Sequence, residues 1–196
     1  MFMRHFGLAL VLFKISLSAA KAPQAGISIL PHDRLALDAE LKSLQVKIDE
    51  IGEHTLLPDI VIFHNAVRYA LDDNMFYKPE DVLNAKHLLS LGHKRAEQLK
   101  AGKHPWTKET GLVIRGYKSS LDDSVIPYGL DIPQELSRQI HKNKRLDIWL
   151  HGRNNTLSEI RFLTERLKKT SQFRPQNTIV LHPYAVSYTH LTLPTN

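Results

Sequence analysis

The sequence predicts an α/β protein in which a helical first half runs into a small sheet. Three observations predict it. Apolar residues recur at spacings of three and four from Leu37 to Leu99, the period of packed amphipathic helices. After His104-Pro105-Trp106 the pattern changes to short apolar runs bounded by Pro, Gly, Asp and Ser, which is the signature of strands. The second half then reads as hairpin, strand, polar loop, helix and strand. That order makes its last two strands a parallel βαβ pair.

Each element has its own signal. Asp33 is the expected N-cap of a first helix whose seam is Leu37, Leu41, Leu44, Ile48 and Ile51, stopped by Gly52. A second helix starts at Pro58-Asp59 and buries Ile60, Phe63, Val67 and Leu71. A third starts at Pro79-Glu80-Asp81, where acids suit the positive helix end, and runs to Gly102. Leu112 to Tyr117 and Val125 to Ile132 form a hairpin around the turn Ser119–Ser124. Pro127 and Pro133 put the second strand near an edge or its pairing near an end. Leu146 to Leu150 (LDIWL) reads as a buried strand, Leu157 to Lys169 as an amphipathic helix, and Asn177 to Leu181 as a last strand closed by a turn at His182-Pro183.

Composition narrows the functional classes. The chain has 196 residues, 42% of them hydrophobic, and no cysteine. That excludes a disulfide framework, a thiolate zinc site and a cysteine nucleophile. Its apolar content argues against disorder. No run of about 20 uncharged apolar residues offers a stable membrane span. Lys and Arg number 26 against 20 Asp and Glu, a net charge of +6. The basic residues are not interleaved with aromatics, so no nucleic-acid partner is expected.

Neither end is expected to belong to the folded protein. Residues 1–20 have the layout of an export signal: Arg4, an apolar run from Gly7 to Phe13, then small residues Ser18 and Ala20. An exported, periplasmic or extracellular location follows. Cleavage after Ala20 takes the net charge from +6 to +4. At the other end, 186–196 (VSYTHLTLPTN) carries no charge and leads into no element. It resembles a translated sequencing-library adapter, matched in one reading frame from Val186 to Thr195. Removing both ends leaves about 165 residues, the size of one small domain. The expected organisation is a signal at 1–20, a helical extension at 21–110, a sheet domain at 111–185 and a non-native tail at 186–196.

Some chemically suggestive residues are read as structural. His87 and His93 lie six apart and face different sides of one helix. Ser90-Leu91-Gly92 echoes part of a nucleophile elbow but sits mid-helix. Lys94, Arg95, Lys100 and Lys103 read as a solvated helix face.

The stretch HPWTKETGLVIRGYKSSLDDSVIPYGLDIP, followed by DIWLHGR and IVLHPYA, resembles exported bacterial prolyl-oligopeptidase-like serine hydrolases with a helical N-terminal extension, over residues 58–185. The resemblance implies the first half of an α/β-hydrolase sheet, truncated. It implies hydrolysis of a carboxylic ester or peptide bond without a cofactor. In that fold the loop after the third strand, often begun by His-Gly, supplies one backbone N–H of the oxyanion hole. His151, Gly152 and Arg153 take that place: Gly152 admits the substrate closely, the N–H of Arg153 is the donor, and His151 holds the loop. A tight structural turn is the alternative. No Gly-x-Ser-x-Gly occurs in the chain, and the fold's acid and base would follow it. The expectation is an inactive N-terminal fragment whose parent takes a small ester or peptide substrate. The competing expectation is a complete, non-catalytic helical/β interaction module.

Overall fold

A computed structural model describes residues 24–138, 144–150 and 156–184. Helix α1 (Pro31–Ile51) starts two residues before Asp33, because Pro31 at its first position has the helical φ built in and no N–H to satisfy. Asp33 therefore lies in the first turn rather than at the cap. Its carboxylate pairs with Lys86, 2.7 Å away. The expected seam of Leu37, Leu41, Leu44 and Ile48 is buried, and Gly52 closes the helix with a left-handed φ of 66°.

Helix α2 (Pro58–Asp72) buries more than one stripe: Ile62, His64, Ala66 and Ala70 are covered as well as the expected residues. The helix packs on α1, on the third helix, α3 (Glu80–Lys100), and on the sheet, while α1 and α3 also touch directly. Asp81 closes the turn before α3, accepting the N–H groups of Tyr77 and Lys78 at 2.9 and 3.0 Å. At Gly92 α3 comes close to its neighbours, since a Cβ there would lie 2.7 Å from Leu44. Packing explains this glycine.

Among the described residues the sheet has four strands in the order β1-β2-β4-β3: β1 (Gly111–Lys118), β2 (Val125–Ile132), β3 (Arg145–Ile148) and β4 (Thr178–Pro183). The first two form the expected antiparallel hairpin, β2 and β4 are antiparallel, and β3 and β4 are parallel. Helix α4 (Glu159–Lys168) crosses between the parallel strands, capped by Ser158. β2 is paired on both sides, so Pro127 is not on an edge strand. It lies just beyond the β4 ladder, which spans Tyr128–Asp131, and so loses no bond there. His182 and Pro183 belong to β4 rather than to a turn: His182 pairs with Gly129 and is buried.

Register and alternation divide the sheet into two faces. Ile114, Gly116, Gly129 and His182 share the face covered by α2 and α4. Contact is close enough at Gly116 that a Cβ would sit 2.2 Å from the Pro58 carbonyl oxygen. One continuous apolar core runs from α1, α2 and α3 through Ile114 to Ile160 and Leu163 of α4. Val113, Leu130, Leu181, Ile148 and Leu146 share the opposite face. There the expectation of a buried LDIWL strand fails. Leu146 and Ile148 are 56% and 60% exposed: among the described residues β3 pairs on one edge only, and the face that is closed over Val113 of β1 is open at this end.

Candidate functional site

The residues singled out in the sequence, His151, Gly152 and Arg153, lie outside the described residues, as do residues 1–20 and 186–196. Both anchors of their loop are described. On one side the Trp149 N–H donates to the Leu181 carbonyl at 2.8 Å, extending the parallel ladder past β3, and the indole stacks on Phe173 at 6.2 Å. On the other side Arg161 donates to the Thr156 carbonyl at 2.8 Å and to its hydroxyl, while Ser158 Oγ accepts the Arg161 N–H. The loop therefore joins the carboxyl end of β3 to the amino end of α4. Open α/β sheets bind ligands at that edge.

A cavity of about 770 Å³ opens beside the same end of α4. Its outer wall is the extended segment 24–28, joined to the α2–α3 connection by the Ile27 N–H donating to the Phe76 carbonyl at 2.6 Å. Gly26 is needed for this approach, since a Cβ there would overlap the Asn74 carbonyl oxygen. Tyr69 and Asp73 come from the end of α2, Tyr77 from the connection, Tyr184 from the end of β4 and Glu159 from the first turn of α4. Glu159 is 9% exposed, and its Oε2 is buried without a hydrogen-bond partner among the described residues. Burial pushes its carboxyl up to about 8, with Arg68 pulling the other way. At pH 7 the group is a neutral acid.

A second polar cluster braces the fold. Asp59 is almost fully buried, and both its carboxylate oxygens are occupied: Oδ2 accepts from Trp106 Nε1 at 2.9 Å and Arg115 Nε at 2.8 Å, Oδ1 from the Gly116 N–H at 2.7 Å. Arg95 donates to the Asp59 and Ile114 carbonyls at 3.0 and 2.9 Å and lies over the Phe63 and Trp106 rings. Arg95 is thus not part of a solvated face. Its (CH₂)₃ stem and guanidinium are drawn inward by two carbonyl acceptors, and burial lowers its pKa to about 10 against the pull of Asp59. Held by three protein donors and almost fully buried, Asp59 braces helix against sheet.

No family model, curated protein or solved structure matches this chain. The functional reading therefore rests on the geometry above. His87 is exposed on α3, and His93 lies 3.1 Å from Glu40, near enough for an ion pair but out of line for a hydrogen bond. Among the described residues no group of three His, Asp or Glu side chains could hold a metal ion. Sequence reasoning missed Glu159 and Asp59 because each reads as an ordinary first-turn acid. The one available hint was Trp106 beside a proline, a large ring whose N–H needs a buried acceptor.

Proposed function

We propose that this chain is the N-terminal part of an exported serine hydrolase of the α/β-hydrolase fold, acting on a carboxylic ester or peptide bond. The observation that carries the reading is the strand order β1-β2-β4-β3, antiparallel at the hairpin and parallel across α4. An α/β-hydrolase sheet opens in this order. The loop His151-Gly152-Arg153 then falls at the carboxyl end of β3, where the fold supplies an oxyanion donor. The half-covered sheet supports the same reading, since a parallel sheet is normally covered on both faces and Leu146 and Ile148 lack cover.

The chemistry assigns a limited role to this part. Acyl transfer needs an attacking group, a base and donors aimed at the developing oxyanion; one donor contributes about 10²–10³ in rate. The loop provides such a donor through the Arg153 N–H, with Gly152 admitting the carbonyl. Nucleophile, acid and base would come from later strands, so this chain alone is inactive.

The test compares two proteins. The chain as it stands is expected to give no saturable hydrolysis of p-nitrophenyl acetate and no labelling by a fluorophosphonate. The product of the uninterrupted gene past Ala185 is expected to do both, through a serine in a Gly-x-Ser-x-Gly turn. Turnover by the shorter chain that survives repurification overturns the reading, as does a longer product with no such serine. A complete, non-catalytic interaction module is the second reading, favoured by the continuous core that joins helices and sheet. It expects one cooperative two-state melt of the shorter chain, whereas the hydrolase reading expects aggregation or loosely packed behaviour.

A further inference from the structure

We propose that the cavity between segment 24–28, the end of α2 and the start of α4 binds a small organic ammonium ion, its N–H groups bonded to Glu159 and its carbon skeleton against Tyr69, Tyr77 and Tyr184. The site is built wholly from described residues and goes beyond the hydrolase reading without resting on it.

Four features point to this ligand class. The volume, about 770 Å³, is that of a small-molecule pocket. Among the described residues its charged lining consists of two carboxyl groups, Glu159 and Asp73, with no Lys, Arg or His, so these residues offer an anion no counter-charge. Three tyrosine rings line it, and the faces of such rings attract ammonium ions. Glu159 Oε2 is buried with no partner among the described residues, and an unmade bond to a buried polar atom is costly unless a ligand completes it. Arg68, on α2, is the nearest cation that acts on Glu159. It already faces Asp72 at 3.5 Å and lies 4.3 Å over the Tyr69 ring, outside the cavity lining.

Binding should move a proton. The Glu159 carboxyl, raised to about 8 by burial, is protonated at pH 7. An ammonium ion beside it favours the carboxylate, so the complex forms with release of one proton to solvent while the ligand stays protonated. Asp73, Tyr69, Tyr77 and Tyr184 are the other titratable groups among the described residues lining the cavity, and Arg68, outside the lining, is the charge on α2 that acts on Glu159.

Titration calorimetry of the full chain with benzylammonium at pH 7, in phosphate and in Tris, tests this directly. Saturable binding is expected, with a buffer-dependent heat that reports proton release. Benzyl alcohol, the neutral analogue, and tetramethylammonium, which has no N–H, are expected to bind about tenfold or more weakly. Glu159→Gln should weaken benzylammonium by a similar factor and abolish the buffer dependence, with a thermal midpoint no lower than the parent's. Equal binding of benzyl alcohol, equal binding of tetramethylammonium, or buffer-independent heat in the parent chain overturns the proposal. The parent measurement stands whether or not the variant folds.

Discussion

At the scale of single residues, Glu159 ties stability to pH. Its carboxyl titrates near the ordinary 4.5 in the unfolded chain and at about 8 in the folded one, because burial penalises the anion. Below about pH 4.5 both states hold the proton, and the group leaves stability undiminished. Between there and pH 8 only the folded state keeps it, so stability falls as pH rises, by up to about 1.4 kcal/mol per pH unit. Glu159→Gln removes the titration. Urea unfolding at a series of pH values should show the variant gaining on the parent steadily from pH 5 to pH 8. Parallel stability curves would mean that Glu159 reaches water in the folded state. His64 has its pKa lowered chiefly by burial, which favours its neutral form, the opposite sense to a histidine that gains an acidic partner.

At the scale of elements, the joint between helices and sheet is polar at its centre. Asp59 at the start of α2 holds Arg115 and Gly116 of β1 and Trp106 of the preceding turn, residues 47 to 57 positions away in sequence. Asp59→Ala takes the acceptor from the buried Trp106 indole N–H, the Gly116 N–H and the part-buried Arg115 guanidinium, and breaking a fully buried pair costs about 3–5 kcal/mol, an upper bound here. Denaturant unfolding should show a loss of up to that size; a loss below 1 kcal/mol would mean that water replaces the carboxylate. The same distances explain what was legible beforehand. The seam Leu37–Leu41–Leu44–Ile48 is local, so its period revealed α1, and the hairpin and βαβ order were readable for the same reason. The roles of Asp59, Arg95 and Glu159 arise only when remote segments meet. An acid at a helix start has a sufficient local reason to be there, which hides any tertiary one. β3 failed differently: LDIWL is apolar enough for two covered faces, yet among the described residues only one is covered.

At the scale of the whole molecule, that mismatch between composition and cover is the strongest structural argument about what the chain is. The face shared by Val113, Leu130, Leu181, Ile148 and Leu146 grows more exposed toward β3, whose outer edge is also unpaired among the described residues. An apolar edge of this kind templates association. Replacing Leu146 and Ile148 together by Lys should therefore act oppositely in two proteins. In the present chain the side chains are mostly in water, so the change costs little folding stability and should reduce high-mass species in light scattering. In a longer protein whose later helices pack on that face, the same lysines would be buried without partners and should destabilise it by several kcal/mol. Urea unfolding of both proteins decides between the readings. Destabilisation confined to the longer one identifies the face as an internal surface of a larger sheet. Equal, small effects in both would make it an outer surface, and the interaction-module reading would then hold.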